Sequence, residues 1–432
     1  MNKIIFFLLI FNVIVSCSFN DQSKIWNKED IKKKSNKDLK VVYKEPKEIL
    51  KELNPSLELN FTNLTLNKNI SDNLNHTGIL KYSGNLDEKK SFNFSNFKDI
   101  NHLNYRPLFL KNGLIFFDNK GSIIRFNESG NVMWKKNYYS KSEKKLNPKL
   151  AMAIFGDKLI VVDNVSKFYT ININSGELIW SKRNTYPFNS EIKTIDNKFF
   201  AIDYKNILRC FKIDNGEECW KVQTEESFTV SNFKFSLIIS KDVIIFSNSV
   251  GDLTAVDIST GLIIWQLPTH SSAILKETFT LKTSKIVSDN KSIFFSNNKN
   301  QFYSIDLNNG ISNWKNKINS YLTPIITNEF IFTVSQSGFL FTIEKDTGNI
   351  IKINNLYKNF SKKEKKKLEP IGIIIINNFL YLTNNNGRLM VVSLKSGKIV
   401  KEKKISKDII SEPFVYDEHL YIISKNSIKR YY

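Results

Sequence analysis

The chain has 432 residues, 41% hydrophobic and 13% aromatic, with a formal net charge of +21. That apolar content excludes a disordered chain, and the positive excess is almost all Lys, with Arg only at 106, 125, 183, 209, 388 and 430. Phosphate recognition favours the planar Arg fork. The charge therefore reads as composition bias and solubility, with at most a weak pull toward an acidic partner or anionic lipid surface, and no nucleic-acid partner is expected.

In chain order, Met1-Asn2-Lys3 is a short positive segment and Ile4 to Val15 a nearly unbroken apolar run. That run is too short to span a bilayer and fits a signal peptide. The following Ile14-Val15-Ser16-Cys17 resembles the lipobox of bacterial lipoproteins, with Ile14 in place of the usual Leu. The resemblance implies cleavage before Cys17 and a lipid on that residue. Ser18, rather than Asp, implies retention at the outer membrane. An ordinary signal peptide with an incidental Cys17 is the alternative. The expected organisation is a signal peptide over 1–16, a lipidated Cys and Lys-rich linker over 17–88, and one folded domain over 89–432.

The linker carries Lys32-Lys33-Lys34, Lys37, Lys40, Lys44 and Lys47, as a tether would. Its stretch 47–53 is a candidate short helix. Residues 90–94 alternate as a strand does. From 107 onward four short strands recur per unit, joined by tight turns: 107–110, 114–117, 122–126 and 132–135 in the first. Five of the seven units end on an Asp or Asn, a Gly and then a Trp. The best example runs from Asp257 through Gly261 to Trp265. Gly130, Gly176, Gly216, Gly261 and Gly310 precede Trp134, Trp180, Trp220, Trp265 and Trp314, while Gly348 and Gly397 lack the Trp. A spacing of 38 to 49 residues between these glycines marks a repeat architecture.

Four antiparallel strands per repeat define a propeller blade. Seven complete units are followed by three strands at 412–416, 419–423 and 427–431. The expected fold is all-β, an eight-bladed β-propeller of four-stranded antiparallel blades, with the last blade closed by the N-terminal strand near 90–96. A seven-bladed ring with a loose tail is the alternative. The Trp residues read as structural, each sealing the gap between neighbouring blades, and Asp257 and Asp306 as turn residues that bond their own backbone.

The Asp-x-x-x-Gly-x-x-x-Trp form resembles the pyrroloquinoline-quinone-type propeller repeat. With the lipobox and eight blades it is similar to the BamB-type outer-membrane assembly lipoproteins. That resemblance implies a non-catalytic periplasmic scaffold of the machinery that inserts β-barrels, without a cofactor. The implied partners are the POTRA domains of a BamA-like subunit, the membrane through the lipid, and unfolded outer-membrane proteins as substrates. It also implies contact through the loop after Trp220, where Phe228 and Val230 match an apolar pair and Ser231 stands where family members carry Arg. The second implied contact is the loop over 276–282, where Glu277 supplies the acid. The alternative for Phe228 and Val230 is that they begin a buried strand.

An enzyme on the same repeat, a quinoprotein dehydrogenase, is the rival class. It would need a Ca²⁺ held by oxygen ligands, a quinone and an Asp base, and often a vicinal Cys pair, which this chain lacks. A ligand-binding propeller is a third class. Cys210 and Cys219 flank one turn and read either as a cross-strand disulfide or as two thiols. His76, His102, His270 and His419 are scattered singly and read as surface or turn residues. Lys362-Lys363-Glu364-Lys365-Lys366-Lys367 reads as a solvated insertion.

Overall fold

The computed structural model describes residues 48–61, 66–67, 74, 76–77, 79–82, 84–97, 101–225, 233–269 and 281–432. These belong to one unit, Lys47–Tyr432, distinct from Met1–Pro46, which lies outside the described residues along with the predicted lipidation site Cys17.

Within each repeat the apolar residues run almost without interruption, as in Val243-Ile244-Ile245-Phe246, because both faces of every blade are covered. Successive residues of a strand point to opposite faces. In blade 4, Leu237, Ile239, Ile244, Phe246 and Val256 pack toward blade 3 with Phe200 and Leu208. Ile238, Ile245, Leu253 and Ala255 pack toward blade 5 with Ile293, Phe295 and Ile305. The core is thus a ring of inter-blade clusters. Each fully buried Ile or Phe contributes about 1.5–3 kcal/mol.

Eight sheets make up the ring. Seven are built on four consecutive antiparallel strands in chain order, from Leu108–Leu110 in blade 1 to Ile399–Lys404 in blade 7, whose sheet also carries Leu66–Asn67 and Ile79–Leu80 in parallel. The eighth contains Phe414–Tyr416, His419–Ile423 and Ser427–Tyr431, and takes its outer strand from Glu88–Asn93. Phe92 of that strand meets Phe126 of blade 1 edge-on at 5.8 Å, and Phe109 stacks on Tyr416 at 5.2 Å. The ring is closed by both chain ends, as the alternation at 90–94 predicts.

The outer strands explain the repeated Trp. In each of the five complete copies the ladder slips by one residue just before the indole. Ala255 pairs with Trp265 but Val256 with Ile263, so Ile264 is the extra residue. Met133, Ile179, Cys219 and Asn313 hold the same place in their blades. A bulge re-aims the side chain that follows it, and here it aims the indole at the next blade. The bulge residues pay no packing role, so Met133, Ile179 and Ile264 are exposed. Cys219 is likewise exposed, Cys210 pairs with Trp220, and although the two thiols neighbour each other at the bulge both are free. Burial pushes the Cys210 thiol up.

Each indole lies on the turn glycine of the following blade. A Cβ on Gly216 would stand 2.6 Å from Trp180, and one on Gly261 or Gly310 would stand 2.7 Å from Trp220 or Trp265. The indole Nε1 of Trp180, Trp265 and Trp314 donates to Ile213, Leu307 and Lys345 carbonyls at 2.8–2.9 Å. Gly216 therefore serves twice: its φ of +67° closes the turn, and its bare Cα seats the ring. Gly156 has a φ of +60° but open space around it. Gly156→Ala is expected to cost only the backbone term, about 1–2 kcal/mol. Gly216→Ala will cost clearly more, and denaturant melts of the two variants measure the value of the seat. Asp257 and Asp306 accept backbone N–H bonds from Ser259 and Thr260 and from Asn308 and Asn309, as turn residues do.

Part of the predicted linker is folded onto the propeller. Residues 48–53 form no helix; Leu53 instead bridges Ile353 on the outer strand of blade 6 through two backbone hydrogen bonds of 3.2 and 2.9 Å. Phe61 wedges against Phe330 and Phe332. The reason is that a bare outer strand offers unpaired N–H and C=O groups, which outweigh weak helical propensity over so short a stretch. Lys362–Lys365 forms one exposed turn of helix capped by Ser361, a solvated insertion as expected.

Candidate functional site

Phe228, Val230, Ser231 and Glu277 fall within 226–232 and 270–280, outside the described residues, as does His270. The stems of these two loops are described. The Glu225 carbonyl accepts a hydrogen bond from Asn206, and Asp252 accepts one from the Thr269 backbone N–H. On the far sides, the Lys282 ammonium lies 5.4 Å from the Phe233 ring centroid. Two loops distant in sequence thus spring from adjoining points.

The described residues hold a second feature that the sequence analysis missed. Residues 74, 76–77 and 79–82 stand between the inner strands of blades 4 and 7, across the axis of the ring. The Leu74 carbonyl accepts from Ile239 N–H on the inner strand of blade 4. Ile79–Leu80 adds in parallel to the inner strand Pro370–Ile376 of blade 7 through Leu80 and Ile376. Between them His76, which is 8% exposed, reaches Ile286 O at 2.7 Å with Nδ1 and Lys193 Nζ at 2.8 Å with Nε2. A carbonyl only accepts, so Nδ1 carries a proton, and Nε2 stands 2.8 Å from the Glu191 carboxylate as well as from the Lys193 ammonium. His76 is therefore buried, not a surface residue, and so is His102, which stacks on Phe97 at 4.1 Å. Burial lowers the His76 pKa.

Around His76 the inner ends of several blades contribute charge. Three of them share one local device. Ser190, Ser284 and Ser411, all buried, donate to the carbonyls of Glu191, Lys285 and Glu412. Each also accepts a backbone N–H from the neighbouring strand, from Ile202, Ser296 and Ile423. The Ser clamps the backbone and the next side chain points to the axis. Arg106 and Lys234 arrive at the equivalent level from blades 1 and 4. The Ser-charge dipeptide ahead of an apolar strand is the sequence signal that marks this site.

The pairing is incomplete. Lys285 meets Glu412 at 2.9 Å, and Lys193 lies 3.6 Å from Glu191. Lys234 sits over the Tyr105 ring, 3.2 Å from its centroid. Arg106 Nη2 is sealed from solvent with no hydrogen-bond partner. Burial would raise the Glu191 carboxyl, but His76, Lys193 and Lys285 hold it well below the usual range. Burial pulls Lys193 to about 8 and Lys234 to about 7, with Glu191 offsetting only part, and pulls Arg106 to about 10. Beside His76, Arg106, Lys285 and Glu412 lies a partly open void. That void measures about 80 Å³ and is bordered by His76, Arg106, Lys285 and Glu412 at one end and by Ile325, Ile374 and Phe414 on its walls.

The same residues test the quinoprotein reading. No group of three or more His, Cys, Asp or Glu side chains able to hold a metal occurs among the described residues. The described residues of 74–82 stand between the inner strands of blades 4 and 7, on the axis. Among the described residues no ligand set for that cation is assembled.

Comparison with solved structures places the fold. BamB from Moraxella catarrhalis superposes with a TM-score of 0.64 at 13% identity, covering 80% of this chain and 100% of that one. A europium-containing methanol dehydrogenase gives 0.63 at 8% identity, with 82% and 88% covered. A quinohemoprotein alcohol dehydrogenase from Pseudomonas putida HK5 gives 0.60 at 10% identity, with 82% and 78% covered. Identities this low speak for the propeller alone. No curated protein matches the sequence. The family model described as outer membrane protein assembly factor BamB matches residues 119–354, more than half of the chain and spanning blades 1 to 6. On that match, the chain belongs to the BamB family of PQQ-like β-propellers.

Proposed function

We propose that this protein is a non-catalytic scaffold of outer-membrane β-barrel assembly, standing on the periplasmic face of the outer membrane. In this reading residues 1–16 are removed on export, Cys17 carries the lipid, and 17–88 lead to the propeller. The loops after Trp220 and Trp265 bind the POTRA region of a BamA-like subunit. The observation that carries the reading is the family match over 119–354. It is supported by the adjoining stems of the two loops, which present one surface from a rigid ring at little ordering cost. A lipid alone anchors weakly, and a tethered second contact gains from high effective concentration.

The test is co-purification from detergent-solubilised membranes. A BamA-like subunit is expected to accompany the protein, and Phe228→Glu with Val230→Glu to weaken the association by roughly tenfold or more. The melting temperature of that variant should stay within a degree or two, about what a surface change costs. Absence of the subunit, together with normal levels of barrel proteins after deletion of the gene, would overturn the assignment. Cys17→Ser should release the protein from the membrane fraction.

A further inference from the structure

We propose that Cys210 and Cys219 form a thiol pair that closes to a disulfide, stapling the bulge in the outer strand of blade 3. The pair stands outside the proposed partner loops, and its chemistry does not depend on the scaffold reading.

Three observations carry it. The first is position. The chain has three cysteines, and the two beyond Cys17 fall at one bulge. Cys210 pairs with Trp220 and Phe211 with Glu218, so Cys219 is the extra residue. In a bulge two residues of one strand oppose a single residue of the other, so Cys219 and Trp220 share Cys210 as their partner. The other complete copies hold Arg125 with Met133, Thr170 with Ile179, Ala255 with Ile264 and Ser304 with Asn313 at these two places. The architecture requires sulfur at neither place, and blade 3 has it at both.

The second is contact. Burial raises the Cys210 thiol, and a hydrogen bond between it and the Cys219 thiol raises it further. Neighbouring strands lie about 4.8 Å apart, within the roughly 4.4–6.8 Å that a disulfide spans between its Cα atoms. The staple also falls where an indole is held least closely. Trp220 Nε1 stands 3.3 Å from Ile258 O, against 2.8–2.9 Å for the matching bonds of Trp180, Trp265 and Trp314. Tying Cys219 to Cys210 fixes the residue next to Trp220.

The third is the difference between the two. Cys210 is buried with Phe200 and Leu208 between blades 3 and 4, whereas Cys219 is exposed. An exposed thiol meets a reagent from solution, and a buried one reaches only the sulfur beside it. The order of events follows. The oxidant is a second disulfide, on a protein or a small molecule. Cys219 gives its proton to water, and its thiolate attacks one sulfur of that disulfide. A mixed disulfide forms, and the expelled thiolate takes up a proton from water. Cys210 then attacks the Cys219 sulfur, and the second departing thiolate takes the Cys210 proton. Two protein thiols and one outside disulfide become one protein disulfide and two outside thiols. Burial holds the proton on Cys210, so this second step is the slow one and quickens as pH rises.

The experiment is incubation of the folded chain with oxidised glutathione, read by intact mass and peptide mapping. The chain carries Cys17→Ser, which leaves Cys210 and Cys219 as its only thiols. It is expected to lose two hydrogen atoms and to yield a linked peptide pair holding both cysteines, faster as pH is raised. The closed form is expected to melt higher than the form kept reduced with dithiothreitol. Cys210→Ala supplies the residue that blade 4 has there, Ala255, and should stop with one glutathione on Cys219. Cys219→Asn supplies the residue that blade 5 has there, Asn313, and should remain unmodified. Should a variant fail to fold, the peptide map and melts of the chain with both cysteines decide alone. A chain that stays reduced, stops at the mixed disulfide or links to a second copy overturns the proposal. So does glutathione on Cys210 in folded Cys219→Asn, or a closed form that melts no higher than the reduced one.

Discussion

Replacing Trp265 by Ala is expected to destabilise the propeller by roughly 3–5 kcal/mol, the range for truncating a buried aromatic ring. Trp265 is only 8% exposed. Its ring packs among Ile245, Ala255, Ile293 and Leu307, and its Nε1 donates to Leu307 O at 2.9 Å. The truncation removes the packing between blades 4 and 5, leaves that carbonyl without its donor and uncovers Gly310. Trp134 gives the internal comparison. It is half-buried and its Nε1 has no partner, while Arg125 takes the Ile173 carbonyl that its indole would otherwise reach. Trp134→Ala should therefore cost clearly less. Denaturant melts of the two variants decide the point, and equal losses would show that the indoles act only as bulk.

Loss of the closing strand is expected to have a still larger effect. Glu88–Asn93 supplies the outer strand of blade 8, pairing with Ser427–Tyr431, and Phe92 is 1% exposed against Phe126 and Tyr421. A chain beginning after residue 94 would open the ring between blades 8 and 1. It would bare an unpaired edge, which recruits other strands. We expect it to lose its cooperative melting transition or to self-associate, as sedimentation would show. The single change Phe92→Ala in the full chain should cost about 3–5 kcal/mol. A monomeric truncated chain with the parent's melting temperature would mean that blade 8 stands on three strands and closure is dispensable.

Much of this architecture was legible residue by residue. The glycines at 130, 176, 216, 261 and 310 announced the turns because a positive φ is costly for any other residue. The spacing of those turns announced the blades. The alternation at 90–94 announced the closing strand because the last unit lacked a fourth. The proposed partner loops were legible only as breaks in the repeat, and 226–232 and 270–280 lie outside the described residues. His76 shows the limit from the other side. A single His in a polar N-terminal stretch carries no local sign of burial, yet it bonds Ile286, 210 residues away, and Lys193, 117 away.

By itself, then, the sequence determined the blade, its repetition and the family, because these rest on contacts between neighbours in the chain and on local backbone preference, and it pointed to the closing strand because the last unit lacked a fourth. Only the tertiary structure decided what those units do to one another. It showed that a one-residue bulge turns each indole onto the glycine of the next blade. It showed that residues 48–61 and the described residues of 74–82 leave the expected tether to pair with an outer strand and to cross the axis. And it brought His76, Arg106, Lys285 and Glu412 to one cavity, and Glu191 and Lys193 to the same imidazole. A charged residue ahead of an apolar strand has the same local pattern whether it faces water or the axis of a ring, and only the arrangement of the blades in space separates the two.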